Sequence, residues 1–158
     1  MRGPDTDDYK NLERLMKYIQ GTIFLPLILS IDKSGNIKLY VDALFVVHKD
    51  MRSHTGGFMT MGTGGAYVKS SKQKLNTKSS NEVKLVGVDD VLTQVMCTRY
   101  FLKEQGHMIH NNFIYQDNQS AIRLEKNGTQ FSSKRKMQIN IRYYFITDRI
   151  MKQEDSVE

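Results

Sequence analysis

With 158 residues, 39% of them hydrophobic and 25% charged, the chain is long enough to bury one medium-sized core and too apolar for a disordered segment. Its net charge of +6 favours a polyanionic partner, although basic charge alone leaves nucleic acid as one reading among several. A single cysteine, Cys97, excludes an intrachain disulfide and a cysteine-rich metal site, and its apolar helical setting predicts a buried, inert thiol.

The N-terminus is polar and acidic, unlike a signal peptide. The most apolar run, residues 23–31, is interrupted by Pro26 and falls short of the ~20 residues of a membrane helix. These features predict a soluble intracellular protein, cytoplasmic or nuclear, either whole or part of a longer chain. In chain order, residues 5–20 read as an amphipathic helix capped by Asp5 or Thr6, with Leu12, Met16 and Ile19 on one face and Gly21 as its stop. Residues 22–31 read as a strand or extended link. Residues 32–36 carry turn chemistry, with Gly35 at positive φ. A buried strand is expected over residues 37–47. Two further strands, 56–61 and 66–69, are joined by a glycine turn at 62–65; no Gly-Lys-Ser/Thr follows, so a phosphate loop is rejected.

After a polar, basic stretch (70–78), Ser79 and Glu82 have capping-box spacing and open a long helix ending at Gln105 and Gly106. Leu85, Val88, Leu92, Val95 and Leu102 supply much of its apolar face. A strand at 112–116, a helix at 118–126, a basic loop at 132–136 and a final helix at 139–152 complete the order, and 153–158 read as a polar end. The sum is a three-layer α/β domain with a mixed sheet flanked by helices. Met59, Met61, Met96 and Met151 read as core filler, and the four histidines show no common metal-binding spacing.

The chemistry concentrates at two strand ends. The apolar run Phe113-Ile114-Tyr115 stops at Asp117, followed by the helix-capping Asn118; Asp42 lies in the strand Ile37-Lys38-Leu39-Tyr40-Val41-Asp42. Two aspartates ending neighbouring strands can share hard divalent cations, but strand-end aspartates are also common as plain turn and cap residues. Spacing alone leaves both readings open.

Six stretches in order resemble the RNase H domain of copia-type retrotransposon polyproteins, preceded by the tail of the reverse transcriptase region. They are Leu12-Glu-Arg-Leu-Met-Lys-Tyr-Ile-Gln-Gly-Thr22, Tyr40-Val-Asp42, Arg52-Ser-His-Thr-Gly-Gly-Phe58, Ser70-Ser71-Lys72-Gln73, Tyr115 to Ile122, and Ile141-Arg142-Tyr143. Phe45 stands where that family usually has tryptophan. The resemblance implies an RNase H-like fold over residues 32–158, with 1–31 as the reverse transcriptase tail. It also implies an ancestral hydrolysis of RNA in RNA–DNA hybrids by two Mg²⁺ (or Mn²⁺) ions held by Asp42 and Asp117. Lys84, however, occupies the position of the family's catalytic glutamate, and Asn140 that of a fourth carboxylate. Glu82 lies two residues away, turned by roughly 200° around the helix, and does not substitute. Asp148 is a fallback ligand. The expectation is weakened metal binding and little or no nuclease activity. Lys72, Lys74, Asn118, Gln119, Lys134 and Arg135 are candidate nucleic-acid contacts, largely to backbone phosphates. A non-catalytic nucleic-acid-binding module and a relic without function are the alternatives; oligomeric state is left open.

Overall fold

Alternating burial defines the sheet. The computed structural model describes residues 3–119, 122–123, 146–149 and 155–157. Its elements are α1 (Thr6–Thr22), β1 (Ser30–Ile31), β2 (Ile37–Leu44), β3 (His54–Thr60), β4 (Gly62–Thr63), β5 (Tyr67–Lys72), α2 (Ser80–Glu104), β6 (Asn112–Tyr115) and β7 (Asp155–Val157). In β2 every second residue, from Ile37 through Leu39 and Val41 to Ala43, is buried, while Tyr40, Asp42 and Leu44 are exposed. The strand is therefore half-buried in the antiparallel manner, not buried on both faces as its apolar composition suggested.

Five strands form one mixed sheet in the order β5-β3-β2-β6-β7. The β5, β3 and β2 pairings are antiparallel, whereas β6 lies parallel to both β2 and β7. The predicted α/β class, a mixed sheet with flanking helices, is what the structure shows. Three details differ from the sequence reading. Residues 22–31 contribute only the two-residue β1, which pairs with β4 inside the expected glycine turn. β5 extends through Ser70, Ser71 and Lys72, beyond the 66–69 expected for that strand and into the polar, basic stretch. Asp155–Val157 is a strand although its residues read as a polar end; here pairing with β6, a non-local term, outweighs composition.

α2 lies across β2 and β3, burying Leu85, Val88, Leu92 and Val95 against Leu39, Val41 and Met59. Full burial of such side chains contributes ~1.5–3 kcal/mol each. Close approach depends on two glycines: a Cβ on Gly57 would lie 2.7 Å from Val91 Cγ1, and one on Gly87 3.1 Å from Ala43 Cβ. Helical residues 146–149 send Ile146 into the same core. Met59 and Met96 are buried and Met61 packs against the cluster, as core filler should; Met151 lies outside the described residues. Cys97 is exposed, contrary to expectation, because it sits on the outer side of α2.

The helix ends follow local rules. In α1 the Asp5 carboxylate accepts from the Asp7 and Asp8 amides at 3.0 Å, and the Asp8 carboxylate accepts from the Asp5 amide, a complete capping box. Gly21 lies within α1 and does not stop it. At α2, Ser79 Oγ accepts from the Glu82 amide at 3.3 Å, but the Glu82 carboxylate takes the Lys78 amide, one residue before the expected partner. The C-terminus closes with Gly106 at φ 82, its amide on Lys103 O and the His107 amide on Leu102 O. Among the described residues, no helix is long and apolar enough to cross a membrane.

Candidate active site

Parallel pairing of β2 with β6 ends at Tyr40 opposite Tyr115, and each strand places an aspartate two residues further on. The topology thereby brings Asp42 and Asp117 to the same end of the sheet, as their strand-end positions suggested. Gly56, opposite Asp42 on β3, has no side chain to crowd it.

Lys84 joins the two carboxylates. It projects from the first turns of α2, whose position is set by the Ser79 cap and by the burial of Val83, Leu85 and Val86 beside it. Lys84 Nζ lies 2.5 Å from Asp42 Oδ1 and 2.7 Å from Asp117 Oδ1, donating to both. The lysine side chain is only 10% exposed, whereas Asp42 and Asp117 are 66% and 76% exposed. Burial alone would push the Lys84 ammonium down, but its hydrogen bonds to Asp117 and Asp42 hold it above the ordinary lysine value. The same hydrogen bond holds the Asp42 carboxyl below the usual aspartate range, helped by the Ala43 amide at 2.7 Å.

These donors do not fit a divalent cation. An ammonium cannot ligate a metal, and this one occupies the space between the two carboxylates that would hold it. Among the described residues, no cluster of three or more His, Cys, Asp or Glu side chains has a metal-binding arrangement. The fallback residue Asp148 is exposed on the helical segment 146–149 and completes no such cluster.

The other candidate residues are placed differently. Asn118 Nδ2 donates to Asn81 Oδ1 at 3.0 Å, tying the turn after β6 to the start of α2. Its carbonyl accepts from the Ile122 amide at 3.0 Å as a helix begins. Gln119 is exposed and lines a cleft of ≈ 480 Å³ with Lys84, Asp117 and Asn118. Lys72 pairs with Asp50 at 2.7 Å, and Lys74 is exposed. Asn140, Lys134 and Arg135 lie outside the described residues.

Three features had no signal in the linear reading. Asn118 fell within a quoted stretch, but nothing indicated that it pairs with Asn81. Gln73 is buried, its amide nitrogen donating to Thr55 Oγ1 at 2.9 Å and Val83 O at 3.0 Å, so it anchors α2 to the sheet. His48 Nε2 and His54 Nδ1 are 3.0 Å apart, and His54 Nε2 is 2.8 Å from Ser70 Oγ. A second cleft, ≈ 840 Å³, extends from Asp42 and Asp117 over Tyr40, Tyr115 and Phe58. Tyr40 and Tyr115 stack there with centroids 4.9 Å apart.

No family model matches the chain. Over 151 residues, 95% of the chain, it is 26% identical to the retrovirus-related Pol polyprotein from transposon TNT 1-94 of Nicotiana tabacum, and it spans only 11% of that polyprotein's length. Among solved structures, LC11-RNase H1 from compost matches with a TM-score of 0.56 at 11% identity, covering 78% of this chain and 83% of that one. The same enzyme in complex with an RNA/DNA hybrid also gives 0.56, at 9% identity over 77% and 83%. A foamy viral protease-reverse transcriptase in complex with dsDNA gives 0.50 at 13% identity over 83% and 84%. The chain is thus similar along its length to one stretch of a retrotransposon Pol polyprotein, and its fold is RNase H-like.

Proposed function

We propose that this chain is a copia-type RNase H-like domain that binds RNA–DNA hybrids without appreciable cleavage, its metal-holding carboxylates being neutralised from within by Lys84. The observation that carries the reading is the ammonium seated between Asp42 and Asp117. Two-metal phosphodiester hydrolysis needs anionic oxygens converging on the ions, and here two carboxylates already share a protein cation. Asp42 and Asp117 are inherited ligands, and Mg²⁺ or Mn²⁺ binding is weakened. Residues 1–31 are the tail of the reverse transcriptase region of a longer polyprotein, and 32–158 the nuclease-like domain. The working compartment is inside the cell.

Binding would rest on the basic charge and on side chains beside the cleft. Lys72, Lys74, Lys134 and Arg135 would contact phosphates, while Asn118 and Gln119 face the groove next to Asp117. The hybrid and duplex complexes of the structural relatives support this class of ligand. Contacts to backbone phosphate give affinity that falls steeply with salt and depends little on sequence. The test is anisotropy of a labelled RNA–DNA hybrid across a salt series, with cleavage followed in Mg²⁺ and in Mn²⁺. Salt-dependent binding without cleavage is expected. Efficient cleavage by the unaltered chain, or no binding at low salt, contradicts the proposal.

A further inference from the structure

We propose that His48 and His54 form a two-histidine site for a divalent transition ion, Ni²⁺ or Cu²⁺, that ties the loop after β2 to the start of β3. The site is independent of the hybrid-binding reading and uses neither Asp42 nor Asp117. The fold alone brings the two rings together. His54 opens β3, opposite Leu44 on β2 and Lys72 on β5. His48 lies in the loop 45–53, which folds back on itself: the His48 amide donates to Arg52 O at 3.2 Å and the Met51 amide to His48 O at 2.9 Å. The ring centroids are 5.2 Å apart.

The geometry suits two ligands on one ion. His48 Nε2 and His54 Nδ1 are 3.0 Å apart. Metal–imidazole bonds of ~2.0–2.1 Å set two nitrogens about 2.9 Å apart at a right angle and about 3.3 Å apart at a tetrahedral one. The observed separation is near the right-angled value, which tetragonal Cu²⁺ and Ni²⁺ accept more readily than tetrahedral Zn²⁺. The remaining nitrogen of His54 is also engaged, with Nε2 2.8 Å from Ser70 Oγ. A proton there, donated to the hydroxyl, leaves the Nδ1 lone pair facing His48, and a partner on the far nitrogen is the usual support of a metal-bound histidine. A plain hydrogen bond between two imidazoles has the same length, and the experiment below separates the two.

Both rings are half-buried and Ser70 is exposed, so an ion reaches the pair from solvent without opening the core. The charged neighbours are Asp50, Lys72 and Arg52, with Asp50 paired to Lys72 at 2.7 Å and to Arg52 at 3.6 Å. They leave one net positive charge beside the site, so the imidazoles carry the affinity and it is moderate. Two imidazoles are fewer than the three-residue clusters that are absent among the described residues, and water completes the shell. The loop gains from such a clamp. Val46 at φ 51 and Met51 at φ 58 occupy the left-handed region, where a β-branched valine is strained. Leu44 and Phe45, at the root of the loop, line the ≈ 480 Å³ cleft beside Lys84 and Asp117.

The test is calorimetric titration of the full chain with Ni²⁺, in a Cys97→Ser background that removes the exposed thiol. One ion per chain is expected, with Tm rising as Ni²⁺ is added. His48→Gln and His54→Gln should each weaken binding by about 100-fold, because the second imidazole no longer acts from the same chain. Ser70→Ala should weaken it by about 10-fold through the orientation of His54. His107→Gln and His110→Gln should leave it unchanged. Unfolding in EDTA verifies that each variant folds, and His48→Gln, in a loop, decides the matter if His54→Gln does not. The spectrum of bound Cu²⁺ should show coupling to two imidazole nitrogens. No Ni²⁺ binding by the background protein, equal binding by His48→Gln, or binding lost with His107 and His110 overturns the proposal.

Discussion

Replacing Lys84 with glutamate reverses the charge at the point where Asp42 and Asp117 converge, 2.5 and 2.7 Å from its ammonium. A unit-charge pair at ~4 Å is worth ~1 kcal/mol in water and ~4 kcal/mol near a shielded surface. Both aspartates are about two-thirds or more exposed, so values towards the lower end apply. The substitution removes two attractive contacts and introduces two repulsive ones. Without divalent cation it should therefore destabilise the protein by ~2–4 kcal/mol. In a domain of this size that lowers Tm by roughly 5–15 °C. The three carboxylates then form a donor set that a hard cation fits, and a ligand binding only the folded state at a hundredfold excess over Kd restores ~2.7 kcal/mol. The assay is thermal unfolding of both proteins in EDTA and in Mg²⁺, with hybrid cleavage measured in parallel. Lys84→Glu should melt low in EDTA, recover in Mg²⁺ and gain cleavage, while the unaltered chain stays insensitive to the ion. An equal Mg²⁺ response in both proteins, or none in Lys84→Glu, refutes the internal-cation argument.

Stability should have an acid and an alkaline limb traceable to this cluster. Asp42 is held below its ordinary 3.8, so its contribution is present above that value and lost as pH falls through the folded-state pKa; Asp42→Asn should flatten the acid limb of a pH–Tm curve. Lys84 is held above its ordinary 10.5, so its contribution is complete below that value and is lost as pH rises through the folded-state pKa; Lys84→Met should flatten the alkaline limb. Gly57→Ala should cost ~1–3 kcal/mol by urea denaturation, because its Cβ would sit 2.7 Å from the β-branched Val91. Ser79→Ala should cost ~1 kcal/mol and increase amide exchange in the first turn of α2, which carries Lys84.

Local chemistry made much of this protein legible from sequence. The helix starts at Asp5 and Ser79, the stop at Gly106 and the turn at Gly35 follow from capping and positive φ, which depend only on neighbouring residues. Lys84, at the position where the resemblance implies a glutamate, and the placement of Asp42 and Asp117 on neighbouring strands were likewise visible in the chain. The misses came from contacts between distant segments. Asp155–Val157 is polar by composition and becomes a strand only because β6 offers a free edge. Glu82 caps one residue away from its expected partner, because the approach of the chain into α2 presents the Lys78 amide instead.

What composition, spacing and resemblance determined was the kind of fold and which charged residues matter. Only the tertiary structure decided their relation. Parallel pairing of β2 and β6 aligns two aspartates 75 positions apart in the chain, and α2 delivers the Lys84 ammonium between them. Coulomb attraction and hydrogen-bond geometry act through space over a few ångströms, so a lysine at the glutamate's place reads in sequence as a missing ligand. In three dimensions it is a cation already bound.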